Sequence, residues 1–159
     1  MIKLYPRWQM ATIKQLMLER RVLLLSGVRQ CGKTTLAHQL ESNETEYRTL
    51  DDGTLREAAE NDPQGFVKRN VKTLIIDEVQ RVPPLLSAIK KAVDEDISYG
   101  QYLLTGSTNI QSLPTVNESL AGRIAKIRLR PLAQGEIERT TPSFFDSAFN
   151  QSFSSSSTN

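Results

Sequence analysis

The most constraining stretch of the 159-residue chain is an aliphatic run, Val22–Leu25, that gives way to Ser26 and then to Gly27-Val28-Arg29-Gln30-Cys31-Gly32-Lys33-Thr34. A short continuous apolar run ending at glycine has the pattern of a strand buried on both faces. Lys33 to Leu40 reads as a helix, so the two glycines fall in a strand-to-helix loop. The N–H groups that open a helix have no partner within it and converge on whatever lies beyond. Such a loop wraps concentrated negative charge, and the spacing GxxxxGK[ST] suits a nucleotide phosphate chain. Gly27 and Gly32 permit the backbone angles and leave room for the phosphates. Lys33 adds a full positive charge near the β- and γ-phosphates. Thr34 offers a hydroxyl to Mg²⁺, which prefers oxygen ligands, and Thr35 is placed to contact the α-phosphate. Arg29, Gln30 and Cys31 complete the loop. A glycine turn that happens to precede a lysine is the plain alternative; the flanking strand and helix favour the phosphate loop.

A second aliphatic stretch ends in two acids, Thr73-Leu74-Ile75-Ile76-Asp77-Glu78. Acids at the carboxyl end of a buried strand lie where open α/β sheets bind ligands. Asp77 is the expected partner of Mg²⁺, and Glu78 the candidate to orient and polarise an attacking water. A fourth-strand pattern, Gln101–Thr105, runs into Gly106-Ser107-Thr108-Asn109. Ser107, with Thr108 as second choice, is the candidate to sense a γ-phosphate, although a turn of small polar residues would look the same. Arg123, after Gly122, is either an arginine finger, in its own chain or a neighbour's, or a surface ion pair. Cys31 is either an oxidation-sensitive thiol near a helix start or an inert buried residue, which is the commoner case. His38 has no cluster of partners and reads as structural.

Around these motifs the chain alternates strands and helices, which predicts a parallel sheet covered on both faces. Arg7–Glu19 reads as an amphipathic lead-in helix. Tyr47–Asp51, Lys72–Asp77 and Arg123–Arg130 read as further strands. Thr54 with Glu57 resembles a capping box, Asp62-Pro63 a helix start, and Pro84 opens a helix with Leu85, Leu86, Ile89 and Val93 on one face. This gives a lead-in over 1–20, a nucleotide-binding domain over 21–137, and a remainder over 138–159. The serine-rich end, Gln151–Asn159, is too poor in apolar residues to order itself. Net charge is only +2, so bulk charge gives no argument for nucleic acid. One cysteine excludes an internal disulfide and suits a reducing compartment. No run approaches the length of a membrane span and no leader is visible. The expected location is the cytoplasm.

With these motifs in place, the chain resembles the AAA+ ATPases, and more narrowly prokaryotic AAA family fourteen. The resembling stretches are LSGVRQCGKTTLA at Leu25–Ala37, LIIDEVQRVPPLLSAIKKAVDED at Leu74–Asp96, YLLTGSTN at Tyr102–Asn109 and ESLAGRIAKIRLRPLAQGE at Glu118–Glu136, with LYPRW near the start. Gln80 and the leucine-alanine-glycine-arginine run are more telling than the loop alone. The resemblance implies a three-layer α/β/α P-loop NTPase fold with strand order 5-1-4-3-2. It implies ATP rather than GTP and Glu78 as catalytic base. Family members continue into a C-terminal domain, at which only Phe144–Phe149 hints here, so the chain is expected to be a truncated member or an excised domain with weak turnover.

Other classes fit less well. No guanine-reading motif is present, and no acceptor site of a small-molecule kinase is recognisable. The alternative from a different class is a nucleotide-dependent switch that binds protein or DNA, with little hydrolysis. Lys126 and Arg128 would then form a basic stripe, although a solvated strand face looks alike. Partners are thus expected to be ATP and ADP, with a homo-oligomer, a protein or DNA as open possibilities and no membrane.

Overall fold

The computed structural model describes residues 5–112, 116 and 120–139. Five parallel strands form one sheet: β1 (Val22–Gly27), β2 (Thr45–Thr49), β3 (Thr73–Asp77), β4 (Tyr102–Ser107) and β5 (Ile124–Leu129). Their order is β2-β3-β4-β1-β5, the expected one read from the other edge. Because all strands run the same way, the carboxyl ends of β1, β3 and β4 lie side by side. That places the loop after Gly27, the acids after Ile76 and the polar turn after Thr105 along one edge.

Two hydrophobic layers follow from the period of two along each strand. Leu23, Leu25, Ile75, Leu103, Ile127 and Leu129 face α1 (Gln9–Glu19) and α2 (Lys33–His38), where Ile13, Leu36 and Ala37 are buried. Val22, Leu24, Leu74, Ile76, Tyr102 and Leu104 face the other way. They pack against α3 (Gly53–Asn61), α4 (Pro63–Phe66) and α5 (Pro84–Glu95), through Ala59, Phe66, Leu85, Leu86, Ile89 and Val93. The strands β1 and β3 are buried at every position, which is why they read as unbroken aliphatic runs. A sixth helix, α6 (Gln134–Glu138), follows β5.

Two of the boundaries that differ from expectation change which residues do what. The second strand is Thr45–Thr49 rather than Tyr47–Asp51. It is an edge strand, paired with β3 alone and half-buried along its length, so its residues alternate little and hide it. Asp51 and Asp52 instead belong to the turn that opens α3. There the cap is Asp52, whose side chain accepts hydrogen bonds from Thr54 N–H at 2.8 Å and Leu55 N–H at 3.0 Å. Thr54 lies inside the helix and does not cap it. The other edge strand, β5, carries Lys126 and Arg128 exposed. Charged side chains on an edge strand discourage pairing with another sheet. The stretches Leu4, Glu118-Ser119, Phe144–Phe149 and Gln151–Asn159 lie outside the described residues. No helix among the described residues is long and apolar enough to cross a membrane.

The cap assignment has a direct check. Asp52→Ala should lower unfolding free energy by about 1 kcal/mol, the usual value of an N-cap, whereas Thr54→Ala should stay within about 0.5 kcal/mol. Urea titrations of the two variants giving the reverse order would return the cap to Thr54.

Candidate functional site

The loop between β1 and α2 has the backbone of an anion cradle. Gln30 and Gly32 adopt left-handed conformations, with φ of 63° and 93°, between residues of ordinary handedness. Such alternation turns successive N–H groups toward one side. It requires glycine at Gly32, since a side chain at that angle is strained. Lys33 is buried, and its ammonium group donates to Gly27 O at 3.2 Å and Val28 O at 3.1 Å. Thr34 and Thr35 are exposed on the first turn of α2. Cys31 is buried, consistent with the inert reading of its thiol.

Across the sheet edge, Asp77 is 2% exposed and ringed by hydroxyl groups. Thr34 Oγ1 donates to Asp77 Oδ2 at 3.0 Å, and Tyr47 Oη donates to the same oxygen at 2.8 Å. Thr105 Oγ1 donates to Asp77 Oδ1 and accepts from Glu78 N–H at 3.1 Å. Burial first, and then the neighbouring Asp77 carboxylate, pushes the Tyr47 phenol well above its ordinary value, so it stays a donor. The residue after Asp77 leaves the strand in a left-handed turn: Glu78 has φ 60°. Non-glycine residues held there cost about 1–3 kcal/mol and cluster at functional sites. Gln80 Nε2 donates to Glu78 Oε2, while Gln80 Oε1 is buried with no partner.

Together Arg29, Lys33, Asp51, Glu78, Gln80, Arg81 and Ser107 line a cavity of about 270 Å³ beside the loop. Two of these residues, Arg81 and Asp51, form an exposed ion pair at 2.5 Å. Gly106, just before Ser107, lies against Gln80. A Cβ added there would come within 2.9 Å of both Gln80 Oε1 and Ile110 Cδ1.

The structure therefore brings Lys33, Glu78, Ser107, Thr34 and Asp77 to one place. It puts Arg123 elsewhere. Arg123 precedes β5, pairs with Asp94 near the end of α5, and donates to Ala121 O. That is the amino-terminal edge of the sheet, five strand residues from the end of β1, or roughly 16 Å at the usual rise per residue. Arg123 thus stands apart from the cluster at the strand ends and forms an ion pair with Asp94.

Residues that the motifs did not single out are Thr105, Tyr47, Arg7 and Glu136. Thr105 sits one step beyond the Ile76–Leu104 strand pair, so only the strand order reveals that it faces Asp77. Arg7 and Glu136 meet from the two ends of the domain. Arg7 Nε donates to Glu136 Oε1 at 3.1 Å, with both side chains less than a tenth exposed. Glu136 also accepts from Trp8 N–H and Ala133 N–H, each at 2.9 Å, so one carboxylate anchors the starts of α1 and α6. Burial alone would raise the Glu136 carboxyl, but the Ala133 and Trp8 N–H groups and the Arg7 guanidinium hold it below the usual range.

Strand order, phosphate loop and acidic pair define an α/β P-loop domain of the AAA class. The chain belongs to the AAA domain family AAA_14, whose model matches residues 19–138. Uncharacterized proteins of Mycobacterium bovis and Mycobacterium tuberculosis are each 29% identical over 116 residues, covering 73% of this chain and 26% of theirs. The chain thus spans about a quarter of the length of these curated relatives. Among solved structures, the Pif1 helicase from Bacteroides in complex with ADP-AlF3 and single-stranded DNA aligns with a TM-score of 0.57. The identity is 16%, over 93% of this chain and 46% of that one. Domain III of the replication initiation protein DnaA from Thermotoga maritima aligns with a TM-score of 0.52. Here the identity is 17%, over 83% of this chain and 68% of that one. At these identities the likeness is one of fold.

The Glu136 anchor sets a pH dependence. A carboxyl lowered in the folded state contributes stability that is fully present above its unfolded value, 4.5, and is lost as pH falls through the folded value. Unfolding free energy should therefore decline below about pH 5. Glu136→Gln should show a shallower decline in urea titrations from pH 7 to 3; an identical slope would remove Glu136 from the account.

Proposed function

We propose that this domain binds ATP with Mg²⁺ and hydrolyses it to ADP and phosphate. The observation that carries the reading is the 3.0 Å contact between Thr34 Oγ1 and Asp77 Oδ2, which unites the phosphate loop with the acid at the end of β3, two strands away. The donor set suits Mg²⁺: a hydroxyl and a carboxylate, both oxygen. Among the described residues no group of three or more His, Cys, Asp or Glu could hold a metal alone. The remaining ligands would be phosphate oxygens and water. When bound, the ion neutralises charge on the phosphate oxygens.

The protein's share is positioning and electrostatics. The loop amides of Gly27–Thr35 hold the phosphates, and Lys33 turns its ammonium from the Gly27 and Val28 carbonyls to the triphosphate. Ser107 and Glu78 face the same cavity. Glu78 orients water and accepts its proton. The water oxygen bonds to the γ-phosphorus as the bridging P–O bond breaks, and ADP leaves with that electron pair. Gln80, bonded to Glu78, sets the direction of the carboxylate. This same bond favours a second reading, a nucleotide switch with slow turnover, because a carboxylate held by an amide is less available to water.

Two variants test the assignment. Lys33→Ala should abolish ADP and ATP affinity in calorimetry. Glu78→Gln should keep ATP bound and stop phosphate release. Unchanged affinity in the first variant would remove nucleotide binding at this loop. Wild-type turnover in the second would move the base elsewhere. Wild-type protein that binds ATP and releases no phosphate would favour the switch.

A further inference from the structure

We propose that Arg7 is a positioning residue for the phosphate loop, locking its outward carbonyl and tying the loop to the end of the domain. The inference rests on the loop being a nucleotide site, as proposed above.

A cradle that turns its N–H groups inward turns carbonyls outward, and each buried carbonyl needs a donor. Arg7 supplies one from behind. Its Nη1 donates to Cys31 O at 2.8 Å, and the same nitrogen lies 3.2 Å from where a Cβ on Gly32 would stand. The guanidinium is thus packed against the left-handed residue that shapes the cradle. Its Nη2 donates to Arg130 O at 2.6 Å, just after β5, and its Nε to Glu136 on α6. One planar side chain therefore bridges the loop, the exit from the sheet and the last described helix. A lysine carries its donors on a single nitrogen and has no such fork to match three separated acceptors. The side chain is 7% exposed; its bonds to Cys31 and Glu136 are partly buried, while the one to Arg130 O lies at the surface.

Arg7 bonds to the Cys31 carbonyl and not to the loop N–H groups assigned to the phosphates, so it acts through the loop. Coupling is reciprocal: what orders the loop favours docking of α6, and release of Glu136 loosens the loop. Nucleotide occupancy is thereby linked to how firmly the chain after β5 is held.

The test compares wild-type chain with Arg7→Ala, Arg7→Lys, Glu136→Gln and the control Gln9→Ala. Gln9 bonds to Arg128 O from the same segment and does not touch the loop. Hydrogen exchange of nucleotide-free protein should speed up about tenfold over residues 27–35 in Arg7→Ala, as the loss of one charge-assisted bond implies. Exchange over residues 73–77 should not change. Binding of ADP–Mg²⁺ should weaken by about the same factor, while turnover at saturating ATP changes less than about twofold. Arg7→Lys and Glu136→Gln should shift the same way by less, and Gln9→Ala should match wild type. Wild-type exchange over 27–35 in Arg7→Ala would overturn the proposal, as would equal acceleration over 73–77. If Arg7→Ala does not fold, Arg7→Lys and Glu136→Gln decide: wild-type exchange in both overturns it. Absence of ADP binding by the wild-type chain would sink the functional reading, while the nucleotide-free exchange would still decide the role of Arg7.

Discussion

The carboxylate of Asp77 joins three parts of the chain that are far apart in sequence. It takes hydrogen bonds from Thr34 on the helix after the phosphate loop, from Tyr47 on the edge strand and from Thr105 on the neighbouring strand. Leaving a buried carboxylate without such partners would cost several kcal/mol, so the hydroxyls are required by its burial as much as by chemistry. The same contacts fix the height of the loop relative to the strand ends. Glu78 depends on them too, since its N–H rests on the Thr105 hydroxyl. Shifting the register of β3 by one residue would send Asp77 to the opposite face and separate the loop from the acids.

The sheet makes this meeting possible and the two apolar layers hold it. The central strands β1, β3 and β4 each contribute alternate residues to both layers, so they cannot slip without exposing both. The helices do different work. Those on the α3–α4–α5 side bury the broader layer, while α1 and α2 cover the face from which the loop departs. The start of α1 has no capping side chain of its own. The N–H of Trp8, the residue just before it, is satisfied by Glu136 from the far end of the domain, so local order at one end depends on a distant residue.

The parts of this architecture legible in sequence were those whose signal is local. The phosphate loop, the aliphatic strands β1 and β3, and the apolar face of α5 each follow from a few adjacent residues. The strand order came through resemblance, because no local pattern encodes it. Where reading failed, non-local physics decided. The second strand was displaced because an edge strand needs little hydrophobicity. Thr54 resembled a cap because spacing alone does not say which of Asp52 and Thr54 precedes the helix. Thr105 passed unnoticed beside Ser107, since its partner lies on another strand. Arg123 is a cation after a glycine, and only the direction of β5 shows that it lies at the sheet edge opposite the phosphate loop. Arg7 and Glu136 lie 129 residues apart, and no spacing rule connects them.

Gly106 carries a consequence for how this domain can vary. A methyl group there would press on the amide of Gln80 and on Ile110, and the amide in turn holds the Glu78 carboxylate. Even an alanine, the mildest of replacements, would be transmitted two side chains away to the group proposed to handle water. Drift at an inconspicuous backbone position would therefore be read out as altered turnover, with the pocket's own residues all intact.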